Sequence, residues 1–152
     1  IREIDKTYDE ICVACIGTDR ATGDCLGPLV GHKLSRGKGY KVVGTLQEPL
    51  TASKVNDFAK SISDNTLVIA VDASLGKAER VNHVTVEKGA IYPGSGVGKE
   101  LSPIGDIAIK GIVNIAGFME LMMLQNTRLG RVMQMADIIS YGLKKSLKEL
   151  QA

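Results

Sequence analysis

The stretch IGTDRATGDCLGPLVG, Ile16 to Gly31, decides the reading of this chain. An apolar run, Ile11 to Ile16, leads into it, and a run with helical spacing leads out. Between them a loop framed by Gly17, Gly23 and Gly27 carries Asp19, Arg20, Thr22, Asp24 and Cys25. A short apolar run stopped by glycine reads as a buried strand. Leu26, Leu29, Val30 and Leu34 fall near i, i+3, i+4 and i+8, which predicts a helix over 26–34. Pro28 suits the first turn of that helix, where its missing N–H leaves no bond unmade. Loops at the carboxyl ends of strands in open α/β sheets are where sites are built, so Asp24 becomes the first candidate residue.

Working outward, the same alternation repeats. Arg36 to Gly39 reads as a turn and Tyr40 to Leu46 as a strand. Thr51 or Ser53 is placed to cap a helix whose apolar stripe is Val55, Phe58, Ala59 and Ile62. Leu67 to Val71 is a strand running straight into Asp72, with a loop expected over Ser74 to Arg80. Val81 to Glu87 alternates with period two, the pattern of an edge strand or of a sheet with one wet face. Lys88 to Gly105 is irregular and rich in glycine and proline, and a loop of that length in a compact domain tends to be functional or disordered. Ile107 to Ile115 returns to a strand pattern. Phe118 to Gln125 and Leu129 to Leu150 are helical, the latter with a stripe of Val132, Ala136, Ile139, Leu143, Leu147 and Leu150. Lys144, Lys145 and Lys148 lie toward its C-terminus, where the helix dipole favours cations. Strands alternating with helices predict an α/β fold, a three-layer α/β/α sandwich with a mostly parallel sheet (phosphorylase/hydrolase-like), as one domain over 1–152.

Composition narrows the function. A chain of 152 residues suits one domain with a sizeable core. A net charge of +2 is too balanced to argue for nucleic acid or a membrane surface as partner. Aromatics at 4%, with no Trp, weaken any platform for stacking single-stranded bases. No apolar run approaches the roughly 20 residues of a membrane span and no secretory leader is evident, so the expected location is cytoplasmic. Three cysteines, an odd number, do not make a disulfide framework.

The residues that could carry chemistry begin with two aspartates. Asp24 follows one predicted strand and Asp72 ends another. If those strands are parallel neighbours, both carboxylates face one crevice. Two close carboxylates resist ionising together, so one keeps a proton while the other activates water. The competing reading makes each a cap or turn residue. Cys12 and Cys15 spell C-x-x-C within a strand, where residues three apart point to opposite faces, so they read as small core hydrophobes. Cys25 stands at a helix N-terminus, a setting that lowers a thiol pKa. Its nearest base, His32, is two turns or about 10 Å away, too far for a nucleophilic pair. His83 reads as a partly exposed strand residue. PGSGVGKELSP, Pro93 to Pro103, lacks the spacing of a nucleotide phosphate loop. Gly94, Ser95, Gly96 and Gly98 are better suited to bringing backbone N–H groups to a peptide or an oxyanion. Asp19 and Arg20 read as loop-ordering or substrate-contacting residues. The five methionines, Met119 to Met135, have the helical spacing of core residues, or else form an adaptable surface for a partner.

IGTDRATGDCLGPLVG, VIAVDASLG and PGSGVGKELSPIGD, in that order, resemble the YyaC family of sporulation proteins. These are often called spore proteases and are similar to the germination protease, which shares an α/β fold of this kind with the hydrogenase maturation proteases. The resemblance implies an aspartic-type endopeptidase of spore-forming bacteria, with Asp24 (in GDCLGP) and Asp72 (in VDAS) as its acidic pair and small spore proteins as substrates. It implies a cytoplasmic setting in the forespore or mother cell. The hydrogenase maturation proteases add a metal-binding His later in the chain that has no counterpart here, and no metal or cofactor is expected. The germination protease is much longer, and the material that shapes its substrate site is not expected here. Two alternatives stand beside this reading: a non-catalytic sporulation adaptor that binds peptide in the same crevice, and a metal-dependent maturation protease. A protein or peptide is the expected partner, with a homodimer through the methionine-rich helices as a further expectation.

Overall fold

A computed structural model of the chain describes residue 1, residues 4–94 and residues 101–151. The elements are β1 (Glu10–Cys15), α1 (Leu26–Leu34), β2 (Lys41–Val43), α2 (Ala52–Ser61), β3 (Thr66–Gly76), β4 (Val84–Lys88), β5 (Ile107–Ile115), α3 (Glu120–Gln125) and α4 (Leu129–Gln151). The strands form one sheet in the order β2-β1-β3-β5-β4. Only β4 runs antiparallel, paired with β5 at the sheet edge. Its period-two pattern fits that place, because an edge strand is half covered.

Period two also splits the core. Val13 and Cys15 of β1, Ile69 and Val71 of β3, and Ile109 and Val113 of β5 bury against α1 and α4. Ala14, Val68, Ala70 and Ala108 face the other way, onto Val55 of α2 and the Ile91–Ile104 bridge. The result is the three-layer α/β/α sandwich. The stripe Val132, Ala136, Ile139, Leu143 and Leu147 is buried as its spacing requires. Lys33 Nζ reaches Asp137 Oδ1 at 2.7 Å and links α1 to α4 on the outside. No helix among the described residues is long and apolar enough to cross a membrane.

Three local expectations are revised. β3 does not end at Val71: it continues through Asp72 to Gly76, so Ser74 to Gly76 is strand rather than loop. Pairing with β5 continues along that whole extension and overrides the local turn-like composition. The methionines are not core as a group. Met135 is buried, but Met119 and Met122 on the α3 side are exposed, and so is Met133 on α4 itself. The edge strand starts at Val84, since Asn82 takes a left-handed turn (φ 74°) just before it.

Candidate active site

The chain order determines where the site lies. β1 is followed by α1 and β2 on one side, whereas β3 pairs on its other side. This is the topological switch point of the sheet, where a crevice opens beyond the carboxyl ends of the strands. β1 leaves the sheet here. The Ile16 N–H donates to the Val71 carbonyl (2.8 Å), and the Gly17 N–H then turns away to the Leu50 carbonyl (3.1 Å). β3 runs on alone along that edge. A cavity of about 770 Å³ fills the gap.

Asp24 reaches the cavity from the single 3₁₀ turn Gly23–Cys25 that precedes α1. Its carbonyl accepts the Thr18 N–H (3.1 Å), which folds the loop back over the end of β1. Gly17 is required there. Its φ of +144° is rare for L side chains, and a Cβ would stand 2.1 Å from the Asp24 carbonyl oxygen. Asp72 reaches the same cavity from β3. Its Oδ1 accepts the Ala73 N–H (2.8 Å), and Lys110 is its register partner across β5.

Both carboxyls are half-buried and both are pushed above the usual carboxylate range. Burial raises Asp24. Asp72 is raised further: burial is the main cause and the Asp24 charge adds to it, against the smaller opposing pull of the Ala73 N–H and the Lys110 charge. The Asp24 charge thus disfavours ionisation of Asp72, the more strongly raised of the two. Lys110 was not legible as a site residue, because only the β3–β5 register places it beside Asp72.

The remaining candidates divide. Arg20 and Gly94 line the cavity; Asp19 is exposed and does not. Ser95, Gly96 and Gly98 lie outside the described residues. Residues that sequence reasoning passed over line the rest: Ser74, Leu75 and Tyr92, with Glu120, Leu121 and Leu124 from the α3 side. α3 is tied down by Asn114 at the end of β5, whose Nδ2 donates to the Met123 carbonyl (3.0 Å) and to Thr127 Oγ1 (3.3 Å).

The cysteines are buried and free. Burial pushes the Cys12 thiol up to about 11 and raises Cys15 as well. Cys25 is also raised, by burial first and then by the Asp19 and Asp24 charges, so the expected lowering at a helix N-terminus does not occur. His32 Nδ1 lies 3.2 Å from Gln47 Oε1 rather than near Cys25, and His83 Nδ1 lies 3.0 Å from the Arg80 carbonyl. Neither histidine lines the cavity. Among the described residues no three His, Cys, Asp or Glu come together as a metal-holding group. Asp24, Asp72 and Glu120 line the cavity with no imidazole and do not converge on one point, so the described residues do not fit the three-ligand set of a catalytic zinc.

A family model described as "Protein of unknown function (DUF1256)" matches residues 1–142. The chain belongs to the DUF1256 family. Within reach of this DUF1256 chain is the "Uncharacterized protein YyaC" of Bacillus subtilis (strain 168), 50% identical over 139 residues, which are 88% of this chain and 67% of that protein. Among solved structures it is similar to the [NiFe] hydrogenase maturation protease HycI from Thermococcus kodakarensis KOD1. The TM-score is 0.61 at 19% identity, covering 96% of this chain and 97% of that one. The [NiFe] hydrogenase maturation protease HybD from Thermococcus kodakarensis gives a TM-score of 0.53 at 14% identity, covering 90% and 99%. The DUF1256 chain thus has the fold of the hydrogenase maturation proteases.

Proposed function

We propose that this DUF1256 protein is an aspartic-type endopeptidase in which Asp24 and Asp72 share the work of hydrolysing a peptide bond. The observation that carries this is the meeting of two raised carboxyls in one cavity at the switch point of the sheet. Asp72 enters the cycle protonated and Asp24 ionised. Asp24 takes a proton from water as the water oxygen attacks the scissile carbonyl carbon. Asp72 gives its proton to the carbonyl oxygen. The tetrahedral diol then collapses: the C–N bond breaks, the departing amine takes the proton from Asp24, and the Asp72 carboxylate recovers one from the diol. Lys110, which lines the same cavity, tempers Asp72 so that it can release its proton within the cycle.

The resemblance of the motifs around Asp24 and Asp72 to those of the germination protease is what favours small spore proteins as the substrate class, and with them the cytoplasm of the forespore or mother cell as the place of action. The test is an extract of small spore proteins incubated with wild type, Asp24→Asn and Asp72→Asn. Wild type cleaves, and each variant loses at least about 10²-fold, the scale of one positioned acid or base. Full activity in both variants sinks the carboxylate mechanism. Binding of spore peptide without turnover by wild type favours the adaptor reading instead.

A further inference from the structure

β1 pairs with β3 only as far as Cys15 opposite Val71, yet β3 stays paired with β5 to Gly76. The β1-side edge of residues 73–76 is therefore open, and among the described residues nothing pairs with it. Backbone groups of alternate strand residues point to alternate neighbours. The Val71 carbonyl accepts the Ile16 N–H on the β1 side, and the Gly76 carbonyl accepts the Ala116 N–H on the β5 side. Ala73 and Leu75 thus present their backbone groups to the cavity, which both residues line.

Half of these groups are already used. The Ala73 N–H donates to Asp72 Oδ1 and the Leu75 carbonyl accepts the Ser74 hydroxyl (3.2 Å). Among the described residues the Ala73 carbonyl and the Leu75 N–H are left. An acceptor and a donor two residues apart are what one residue of a parallel strand requires: its N–H bonds to the first and its carbonyl takes the second. An antiparallel partner would instead use the N–H and carbonyl of one residue; at Ala73 that N–H is taken, and at Leu75 the carbonyl would be shared with the Ser74 hydroxyl, so the parallel register pairs with the two unshared groups.

Resting on the endopeptidase reading, we infer that the cavity binds its substrate as an extended peptide added to the free edge of β3, parallel to it. β3 runs from Asp72 toward Gly76, so the peptide's N-terminal end lies at the carboxylates. The bound strand is the segment C-terminal to the scissile bond. Side chains of that strand alternate. One face meets the apolar wall of Leu75, Leu121 and Leu124, and the other meets Ser74, Tyr92 and Lys110. The substrate class is accordingly a peptide with apolar residues at alternate positions after the cleaved bond. Strand addition takes affinity from the main chain and specificity from alternate side-chain pockets.

The experiment uses a fluorescein-labelled alternating leucine–serine octapeptide, titrated into wild type and into Asp24→Asn by fluorescence anisotropy. A set of the same peptide carries one N-methylated amide at each position in turn. Methylating the amide that meets the Ala73 carbonyl weakens binding about tenfold, the loss of one hydrogen bond, while methylating either neighbouring amide leaves Kd within about twofold. Leu121→Ser with Leu124→Ser weakens the leucine peptide and not one with alanine in place of leucine. Equal response to methylation at every position, or no binding up to millimolar peptide, overturns the inference. Position-dependent binding without cleavage of any spore protein leaves strand addition standing and removes the endopeptidase reading. Cleavage with methyl-insensitive KM does the reverse.

Discussion

Gly27→Ala probes the contact that holds Asp24 in place. Gly27 lies in the first turn of α1, three residues after Asp24, and packs directly on the end of β1. A Cβ there would stand 2.0 Å from the Ile16 carbonyl oxygen, where ordinary contact begins at 3.4 Å. The oxygen belongs to backbone and cannot swing aside as a side chain could. α1 must therefore withdraw by about 1.4 Å. Overpacking of this kind costs about 1–3 kcal/mol, and a backbone obstacle puts the cost at the upper end. Alanine returns about 1 kcal/mol of helix propensity. The net loss is about 2 kcal/mol, which lowers Tm by about 4–8 °C for a chain of this size. Gly142→Ala in α4 is the control, because nothing lies within 4 Å of the added methyl. It keeps only the propensity gain and raises Tm by about 2–4 °C. Thermal unfolding followed by circular dichroism measures both. A retreat of more than 1 Å also drags Asp24 from its partner, so Gly27→Ala loses about 10²-fold in peptide cleavage. If Gly27→Ala melts at or above wild type while Gly142→Ala gains as expected, α1 does not depend on the close approach and the reasoning fails.

Three further outcomes follow from the same geometry. Asp72 has a folded-state pKa well above its unfolded value, so its contribution to stability is full below the unfolded pKa and is lost as pH rises through the folded one. Asp72→Asn therefore raises Tm at pH 8 and loses that advantage toward pH 4, a trend that chemical denaturation across pH will show, and a pH-independent difference refutes it. Asp106 accepts the Val68 N–H (2.8 Å) and pairs with Lys6 (2.9 Å), which itself donates to the Thr66 carbonyl. Asp106→Ala costs about 2 kcal/mol in urea unfolding, because a strand N–H loses its acceptor and the half-buried Lys6 ammonium loses its counter-charge, and an unchanged midpoint contradicts this. The three thiols, all buried and raised, stay unreactive toward an aromatic disulfide reagent at pH 7.5 until denaturant is added. Rapid labelling of Cys25 in the native protein would show that its loop opens.

Much of the architecture was legible in the linear chain. Ile11–Ile16, Leu67–Val71 and Ile107–Ile115 are short apolar runs, and the 26–34 and 129–150 stretches carry a helical stripe. Periodicity reports which face of a local element is dry, and those faces survive folding. Asp24 and Asp72 became candidates because each follows an apolar run, Asp24 in the loop after Ile16 and Asp72 directly after Val71. The methionines were misread because helical spacing reports a shared face without saying what covers it. Met135 on α4 has the sheet beneath it, whereas Met119 and Met122 on the α3 side do not.

By itself the sequence determined the alternation of strands and helices, the three layers that alternation demands, and two aspartates that follow apolar runs. Only the tertiary structure decided that β1 and β3 are neighbours, that their ends part at Gly17, and that Lys110 stands beside Asp72. It also decided that β3 outruns β1 and, among the described residues, keeps an open edge beside the carboxylates. The reason is physical. Side-chain faces follow from spacing within one element, but strand order, register and length are set by pairing between segments far apart in the chain. The pKa of a carboxyl and the freedom of a backbone edge depend on those pairings alone.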